Sequence, residues 1–452
     1  MNPVVIAGAG ISGLALAYSL RARGVPVLVL EREPRPGGKI ASEHRDGYLC
    51  EQGPASYLDR SSALTLMAGE LGLSNRIVTA TDAAQRRLVA AGDRLHDTPL
   101  DSKALLASRL LSLPAKLRML VDFVLPRGPS GKGGEESVAD FGRRRLGKEA
   151  GERLLQPLVS GLYAGNATQV SLPSAFPLVA TMERVERSFL LAMRKELRPK
   201  AGAPRLSSFQ NGMDEFTSAL ARSLGDDLRL GTRILRVEKC PTGFSLAIEN
   251  RGTTHTLDAT SLVMALPAHV GTTLLATLDG DLAQTLGSIP YVPVTLVHLG
   301  YPASAFKHPF TAYGFFVPPS EPLRILGGIF PSMFFPGRAP GGHHLFSVRT
   351  GGARHPEFAA LPDDEVVAVA DQELRRLVGL STGPSFRHVV RHTQALPQYT
   401  LGHAVRIGQL MAAEQRHAGL YFHGNAYHNA GVPELVARSV KLAERIAGEI
   451  KR

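Results

Sequence analysis

At 452 residues, 44% of them hydrophobic and 20% charged, the chain holds enough apolar material for two or three packed domains and too much to stay disordered. A formal net charge of +11 favours anionic partners, carboxylated small molecules or acidic lipid head groups, but no recognition helix, zinc finger or RNA-binding signature accompanies it, so nucleic acid is excluded. Its two cysteines, Cys50 and Cys240, lie too far apart for a C-x-x-C pair, which argues against a disulfide framework and a zinc site. With no export signal and no membrane-spanning run, a cytosolic protein is expected.

In chain order, residues 4–7 read as a short buried strand, 8–13 as a glycine turn, 14–23 as a helix closed by Gly24, and 25–30 as a second apolar strand. That is a βαβ unit. Helical runs rich in leucine and arginine follow from about 100 to 200, broken by Pro114 and by a loop at 126–136. The loop's Gly131-Lys132-Gly133-Gly134 lacks the Ser or Thr and the preceding strand of a phosphate-binding loop, so it is given no nucleotide role. Short β-branched strands return at 228–230, 234–237, 244–248 and 261–265, and a strand-rich stretch spans 292–349. The chain closes with a strand at 420–423, a glycine loop at 424–433 and a helix at 434–450, with Val436, Val440, Ala443 and Ala447 on one face.

Gly8-Ala9-Gly10-Ile11-Ser12-Gly13 matches the G-x-G-x-x-G fingerprint. Gly8 serves the tight turn, Gly10 the close approach of backbone to a pyrophosphate, and Gly13 the packing of helix on strand. The helix start at Ile11 and Ser12 then faces a phosphate. Glu31, at the end of the second strand and followed by Arg32, is placed to accept hydrogen bonds from a ribose.

Beyond that dinucleotide signal, Arg35-Pro36-Gly37-Gly38-Lys39, Glu51-Gln52-Gly53-Pro54, Phe209-Gln210-Asn211-Gly212-Met213 and Val263-Met264-Ala265-Leu266-Pro267 make the chain resemble the flavin amine oxidase superfamily. Within it, the sequence is similar over nearly its whole length to the protoporphyrinogen and coproporphyrinogen oxidases. The motifs are Ser160-Gly161-Leu162-Tyr163-Ala164-Gly165, Gly314-Phe315-Phe316-Val317-Pro318, Gly351-Gly352-Ala353-Arg354, Pro397-Gln398-Tyr399 with Gly402-His403, and Gly424-Asn425-Ala426-Tyr427. The resemblance implies FAD as cofactor, cradled by the fingerprint residues, Glu31, Arg32, Gly37, Gly38, Lys39, Gly53, Pro54, Val237, Ala265, Gly424, Asn425, Gly431 and Val432. It implies a flat substrate with a propionate on Arg87, Phe316 and Ile329 flanking the macrocycle, and the backbone at Gly161 facing its pyrrole nitrogens. Dioxygen would be the electron acceptor and hydrogen peroxide the by-product.

Two features depart from the family. The loop Tyr427-His428-Asn429-Ala430-Gly431-Val432-Pro433-Glu434 replaces a more glycine-rich sequence, and Arg349 stands where relatives carry an apolar residue, able to meet a further propionate or to point to solvent. No acid-base residue is singled out, and the scattered histidines form no metal-ligand set.

The expected fold is α/β: a discontinuous Rossmann-like FAD-binding domain (1–85, 205–268 and 408–452), a helical insertion (86–204) and a strand-rich substrate domain (269–407). The expected function is oxidation of a porphyrinogen in haem synthesis. The competitors are another flavin amine oxidase, a carotenoid desaturase, and a non-catalytic binding protein like the prenyl-protein escort factors. Leucine stripes carrying Arg109, Lys116 and Arg118 fit either an internal helix or an anionic membrane surface. A homodimer is expected only from the general frequency of such assemblies.

Overall fold

The computed structural model describes residues 2–99, 102–128, 135–186, 188–196, 205–429 and 431–451. The lysine-glycine stretch considered above as a phosphate loop therefore falls outside the described residues. The fold is α/β, with a Rossmann-like half and a strand-rich half.

Among the described residues the first half is built on a five-stranded parallel sheet, in the order Leu420–Phe422, Ser261–Met264, Val4–Ala7, Val27–Leu30, Leu228–Arg229. Its four apolar strands are buried on both faces, as parallel strands are when helices or sheets cover each side. On one face Val4, Ile6, Val27 and Val29 pack against the helices Ile11–Arg21, Asp214–Leu224 and Val432–Ile450. On the other, Val5, Ala7, Leu28 and Leu30 meet Phe244, Leu246 and Ile248 of an antiparallel three-stranded sheet, with Leu274, Leu282, Leu286 and Leu410 alongside.

The second half is a seven-stranded sheet in the order Phe386–Pro397, Tyr291–Pro302, His343–Gly351, Ile325–Ile329, Gly314–Phe316, Arg87–Ala91, Arg94–Asp97. Its pairings are antiparallel except for Arg87–Ala91 beside Gly314–Phe316, which is parallel. One face, with Leu88, Val297, Leu299, Phe315 and Val348, is covered by the amphipathic helix Asp363–Val378. The other face looks toward the helix Gln156–Tyr163.

The structure moves three expected boundaries. The hairpin 87–97, expected in the helical insertion, extends the seven-stranded sheet because its Leu88 and Ala90 belong to that sheet's core. The helices Ala268–Leu274 and Gly280–Gly287, expected almost wholly with the substrate half, bury Leu274, Leu282 and Leu286 against the parallel sheet, and the helix His403–Arg416, divided by the expected boundary at 407/408, packs there as one piece through Leu410. The first helix starts at Ile11, so Gly13 lies inside its first turn.

The helical segment packs around Phe141, Leu146, Leu155 and Val159. At its centre the buried Arg145 guanidinium lies between Asp122 (3.2 Å) and Glu183 (2.5 Å). Glu183 also receives Arg144 at 2.8 Å. Those guanidinium hydrogen bonds outweigh burial and hold the Glu183 carboxyl below its usual range.

Candidate cofactor and substrate site

The expected cofactor residues cluster where an open parallel sheet takes ligands, beyond the carboxyl ends of its strands. Gly8, Glu31, Ala265 and Gly424 each lie just past one of the four apolar strands. Gly8 adopts φ +103°, and its α-carbon faces the Ala265 carbonyl so closely that a Cβ would lie 2.9 Å from that oxygen. Gly10 opens the first helix at φ -71°, ψ 175°, and Gly431 opens the last helix at φ -71°, ψ 179°. Neither start has a side-chain cap, so the first-turn amides, Ile11 and Ser12 in one helix and Val432 in the other, are left for an anionic ligand. The two helices are tied together where the Ser439 hydroxyl reaches the Ser12 carbonyl (3.3 Å) and the His423 ring (2.8 Å).

Glu31 does more locally than expected. Its carboxylate accepts the Ala9 and Glu33 amides at 2.8 and 2.9 Å, bracing the glycine turn while each oxygen keeps a further lone pair for a ribose. The side chain of Arg32 lies in an exposed ion pair with Glu33 (3.0 Å).

The Gly37 amide donates to the Ala9 carbonyl at 2.8 Å, and Gly38 rests against the α-carbon of Gly10. At Gly53, followed by Pro54, a Cβ would lie 2.3 Å from the Lys39 carbonyl, which stacks this second loop on the first. The Lys39 ammonium reaches across the molecule to the Ala395 carbonyl and sits 5.7 Å from the centre of the Tyr291 ring; burial lowers its pKa to about 8.

Gly424 leads into the short helix Asn425–His428, and the Asn425 carbonyl accepts the Tyr399 hydroxyl at 2.7 Å. The Val237 side chain is fully buried with Leu28 and Leu30, on the strand that leads to Glu31, and its carbonyl accepts the Thr277 hydroxyl at 3.3 Å. The remaining residues form two bare helix starts and a glycine-lined gap, which fits a pyrophosphate-bearing dinucleotide.

The expected substrate residues meet on the seven-stranded sheet. Residues directly opposite one another on paired strands point to the same face. The register runs Arg87, Gly314, Ile329, Ser347 in one row and Phe316, Gly327, Arg349, Leu296 in the next. Arg87, Phe316, Ile329 and Arg349 therefore share one face, the one toward the helix Gln156–Tyr163.

Gly161 differs from expectation. A Cβ there would lie 2.0 Å from the Phe316 ring, and its carbonyl, expected to face a substrate nitrogen, accepts the Arg349 guanidinium instead. The reason is local: Gly161 carries one of the last four carbonyls of its helix, which lack intrahelical donors, and a cation is favourable at that end. Arg349 does not point to solvent. Burial pushes its pKa below the usual arginine range.

The sequence reading missed Tyr313, whose ring lies 5.6 Å from the Arg87 guanidinium, and Asn429, which ties the last loop to the helical segment. Nothing in the local pattern marks Tyr313, because its partner is far away in the chain. The non-glycine left-handed conformation of Asn429 (φ 44°) suits an asparagine in a loop rich in turn residues.

A model of the flavin containing amine oxidoreductases matches residues 11–447. The chain belongs to that family. It is an FAD-dependent oxidoreductase.

Among its relatives, the chloroplastic protoporphyrinogen oxidase of Nicotiana tabacum is 31% identical, over 99% of this chain and 86% of that protein. The coproporphyrinogen III oxidase of Bacillus subtilis is 29% identical, over 96% of this chain and 95% of its own length. Among solved structures, an Exiguobacterium protein provisionally assigned as a protoporphyrinogen oxidase superposes with a TM-score of 0.84 at 24% identity, covering 99% of both chains. The cyclohexylamine oxidase of Brevibacterium oxydans gives 0.73 at 18% identity, covering 100% of both. At those identities the structural likeness speaks for the fold.

Proposed function

We propose that this oxidoreductase converts a porphyrinogen to the corresponding porphyrin, in haem synthesis. One observation carries the reading: a single sheet face presents the half-buried apolar side chains of Phe316 and Ile329 between two cations, Arg87 and Arg349, neither with an ion-pair partner among the described residues. A flat, apolar ring bearing carboxylates is complementary to that surface. The porphyrinogen oxidases among the relatives support the same reading.

In this proposal FAD is held by the turn Gly8 to Gly13, Glu31, Gly37, Gly38, Lys39, Gly53, Pro54 and Ala265, with Gly424, Asn425, Gly431 and Val432 closing the cradle from the last helix. When bound, FAD would supply a two-electron acceptor in each of the three rounds that take a porphyrinogen to a porphyrin, with one dioxygen reduced to hydrogen peroxide per round.

The protein's own contribution is orientation. Arg87, stacked on Tyr313 at the exposed margin, holds a propionate, while Phe316 and Ile329 fix the plane of the ring and exclude water from it. In each round a ring proton is lost to water, and no side chain is assigned as base.

We also place the outer face of the helix Leu113–Leu120 on an anionic membrane surface in the cytosol. Leu113, Leu117 and Leu120 are 69%, 58% and 55% exposed along one stripe, while Ala115 and Met119 face inward. No described helix is long and apolar enough to cross a membrane. Of the three cations expected to support this contact, Arg109 is exposed. Arg118 turns inward to the Arg144 carbonyl, and Lys116 donates to the Ser108 carbonyl.

The test is direct. Purified protein with its flavin spectrum recorded is given protoporphyrinogen IX, coproporphyrinogen III and a simple primary amine in air, and porphyrin fluorescence and peroxide are followed. Porphyrin formation faster than the uncatalysed rate is expected; turnover of the amine with no porphyrin formed overturns the proposal.

A further inference from the structure

Arg349 is the more enclosed of the two cations on this sheet face. It projects from the strand His343–Gly351 into the space between the sheet and the helix Gln156–Tyr163, opposite Gly327 on one side and Leu296 on the other. Among the described residues it has no ion-pair partner, and its hydrogen bond runs to the neutral Gly161 carbonyl. A guanidinium carries five donors, and an unneutralised charge taken out of water is costly unless a counter-charge arrives. Desolvation already works against its protonated form.

Its surroundings give the geometry of the missing partner. Arg349 sits beside Phe316 and one residue row beyond Ile329, the apolar part of the platform. Arg87 lies three strands away at the exposed margin. From strand spacing and rise, the two arginine α-carbons are about 16 Å apart. Tyr313 backs the outer cation, its ring 5.6 Å from the Arg87 guanidinium. A flat ligand lying across Phe316 and Ile329 thus meets a cation at each of two separate edges.

We propose that Arg349 is a second carboxylate anchor which selects a tetracarboxylate over a dicarboxylate porphyrinogen, its guanidinium leaving the Gly161 carbonyl for a substrate carboxylate as the ring enters. This rests on the porphyrinogen reading. Protoporphyrinogen carries its two carboxylates on neighbouring pyrroles, so one edge of the ring is charged. Coproporphyrinogen carries one on every pyrrole and satisfies Arg87 and Arg349 together. The exchange also releases the Gly161 carbonyl to accept a pyrrole N–H. Arg349 is in this view a specificity residue, and its contact with Gly161 is the resting state of the site.

The experiment compares wild type, Arg349→Met, Arg349→Gln and Arg349→Lys in two assays on the flavin-loaded protein. One is equilibrium binding of coproporphyrin III and protoporphyrin IX by porphyrin fluorescence. The other is KM and kcat with the two porphyrinogens. Glutamine can still donate to the Gly161 carbonyl without a charge, so it separates capping of the helix from pairing with a carboxylate, and it keeps the test open if the methionine variant fails to fold.

Wild type is expected to prefer the tetracarboxylate. Arg349→Met and Arg349→Gln are expected to lose that preference about tenfold or more, mainly in KM and porphyrin affinity, with Arg349→Lys retaining part of it. Wild type that binds both porphyrins with a ratio unmoved by Arg349→Gln overturns the anchor role alone. Equal losses for both ligands do the same, because they mark a residue that only supports the helix. Wild type that binds neither porphyrin overturns the porphyrinogen reading together with the anchor.

Discussion

The Tyr163 hydroxyl and the Asn429 side chain meet at 3.0 Å, joining the helical segment to the loop that precedes the last helix. The Asn429 amide also donates to the Ser174 and Ala175 carbonyls at 2.5 and 2.7 Å. The loop that departs most from the family pattern is thus held by one side chain with three partners. Asn429→Ala is expected to cost about 1–3 kcal/mol, because it takes the side-chain donor from the Ser174 carbonyl, leaves the Ala175 carbonyl with the Tyr163 hydroxyl alone, and keeps an unfavourable positive φ. Chemical denaturation measures the loss. If this contact positions the bare start of the last helix, flavin release is also faster, read from the flavin fluorescence of diluted protein.

Gly10 and Gly13 separate binding from folding. A Cβ at Gly13 would lie 2.0 Å from the Gly8 carbonyl oxygen, while one at Gly10 would meet nothing within 4 Å. Gly13→Ala is expected to destabilise the protein by about 1–3 kcal/mol or more through backbone overpacking. Gly10→Val is expected to fold with a melting temperature near that of the flavin-free wild type, yet to purify colourless. A yellow Gly10→Val protein would overturn the assignment of this turn to the cofactor.

Acid lability follows from four histidines. Burial holds His298 and His423 down to about 3, and His403 and His428 down to about 4. Between about pH 6.5 and those values the unfolded chain binds protons that the folded one refuses. Their contribution is complete above pH 6.5 and shrinks as pH falls, by up to about 1.4 kcal/mol per pH unit for each histidine. Glu51 runs the other way, since burial raises its carboxyl to about 7, and burial raises Asp214 too, but the four imidazoles outnumber them. Melting temperatures recorded from pH 7.5 to 5 are expected to drop steadily, and His298→Gln to flatten the slope.

The Arg145 cluster is structural. Arg145→Met leaves Asp122 buried without its guanidinium partner and is expected to cost about 3–5 kcal/mol. Replacing one partner, as in Glu183→Gln, is expected to remove the part of the stability that is present at neutral pH and lost on acidification, because the folded carboxyl is held below its unfolded value. Denaturant midpoints at pH 7 check the first, and midpoints compared between pH 7 and about pH 3, below the unfolded value of a glutamate, check the second.

The exposed leucine stripe predicts lipid binding. Leu113→Glu with Leu117→Glu is expected to abolish most flotation with vesicles containing an anionic phospholipid while leaving thermal stability within about 0.5 kcal/mol, since both side chains face outward. Wild type that fails to float removes the membrane proposal.

The first βαβ unit, its three glycines, Glu31 and the final helix were legible in the residues alone, because their signals are local: hydrophobic period, turn chemistry and a fixed motif spacing. The apolar strand Val4–Ala7 and the face of Val436, Ala443 and Ala447 lie in the core as that pattern requires. Family likeness added the loops at Gly37 and Gly53. Only the tertiary structure decided what depends on pairing between distant segments. Arg87 and Phe316 share a face because strands more than two hundred residues apart lie side by side, and no periodicity around Arg87 reveals that it opens a strand of the larger sheet. The contact of Arg349 with the Gly161 carbonyl is of the same kind. A sequence shows that a cation is present, but the helix end it meets is set by how the sheet and that helix pack.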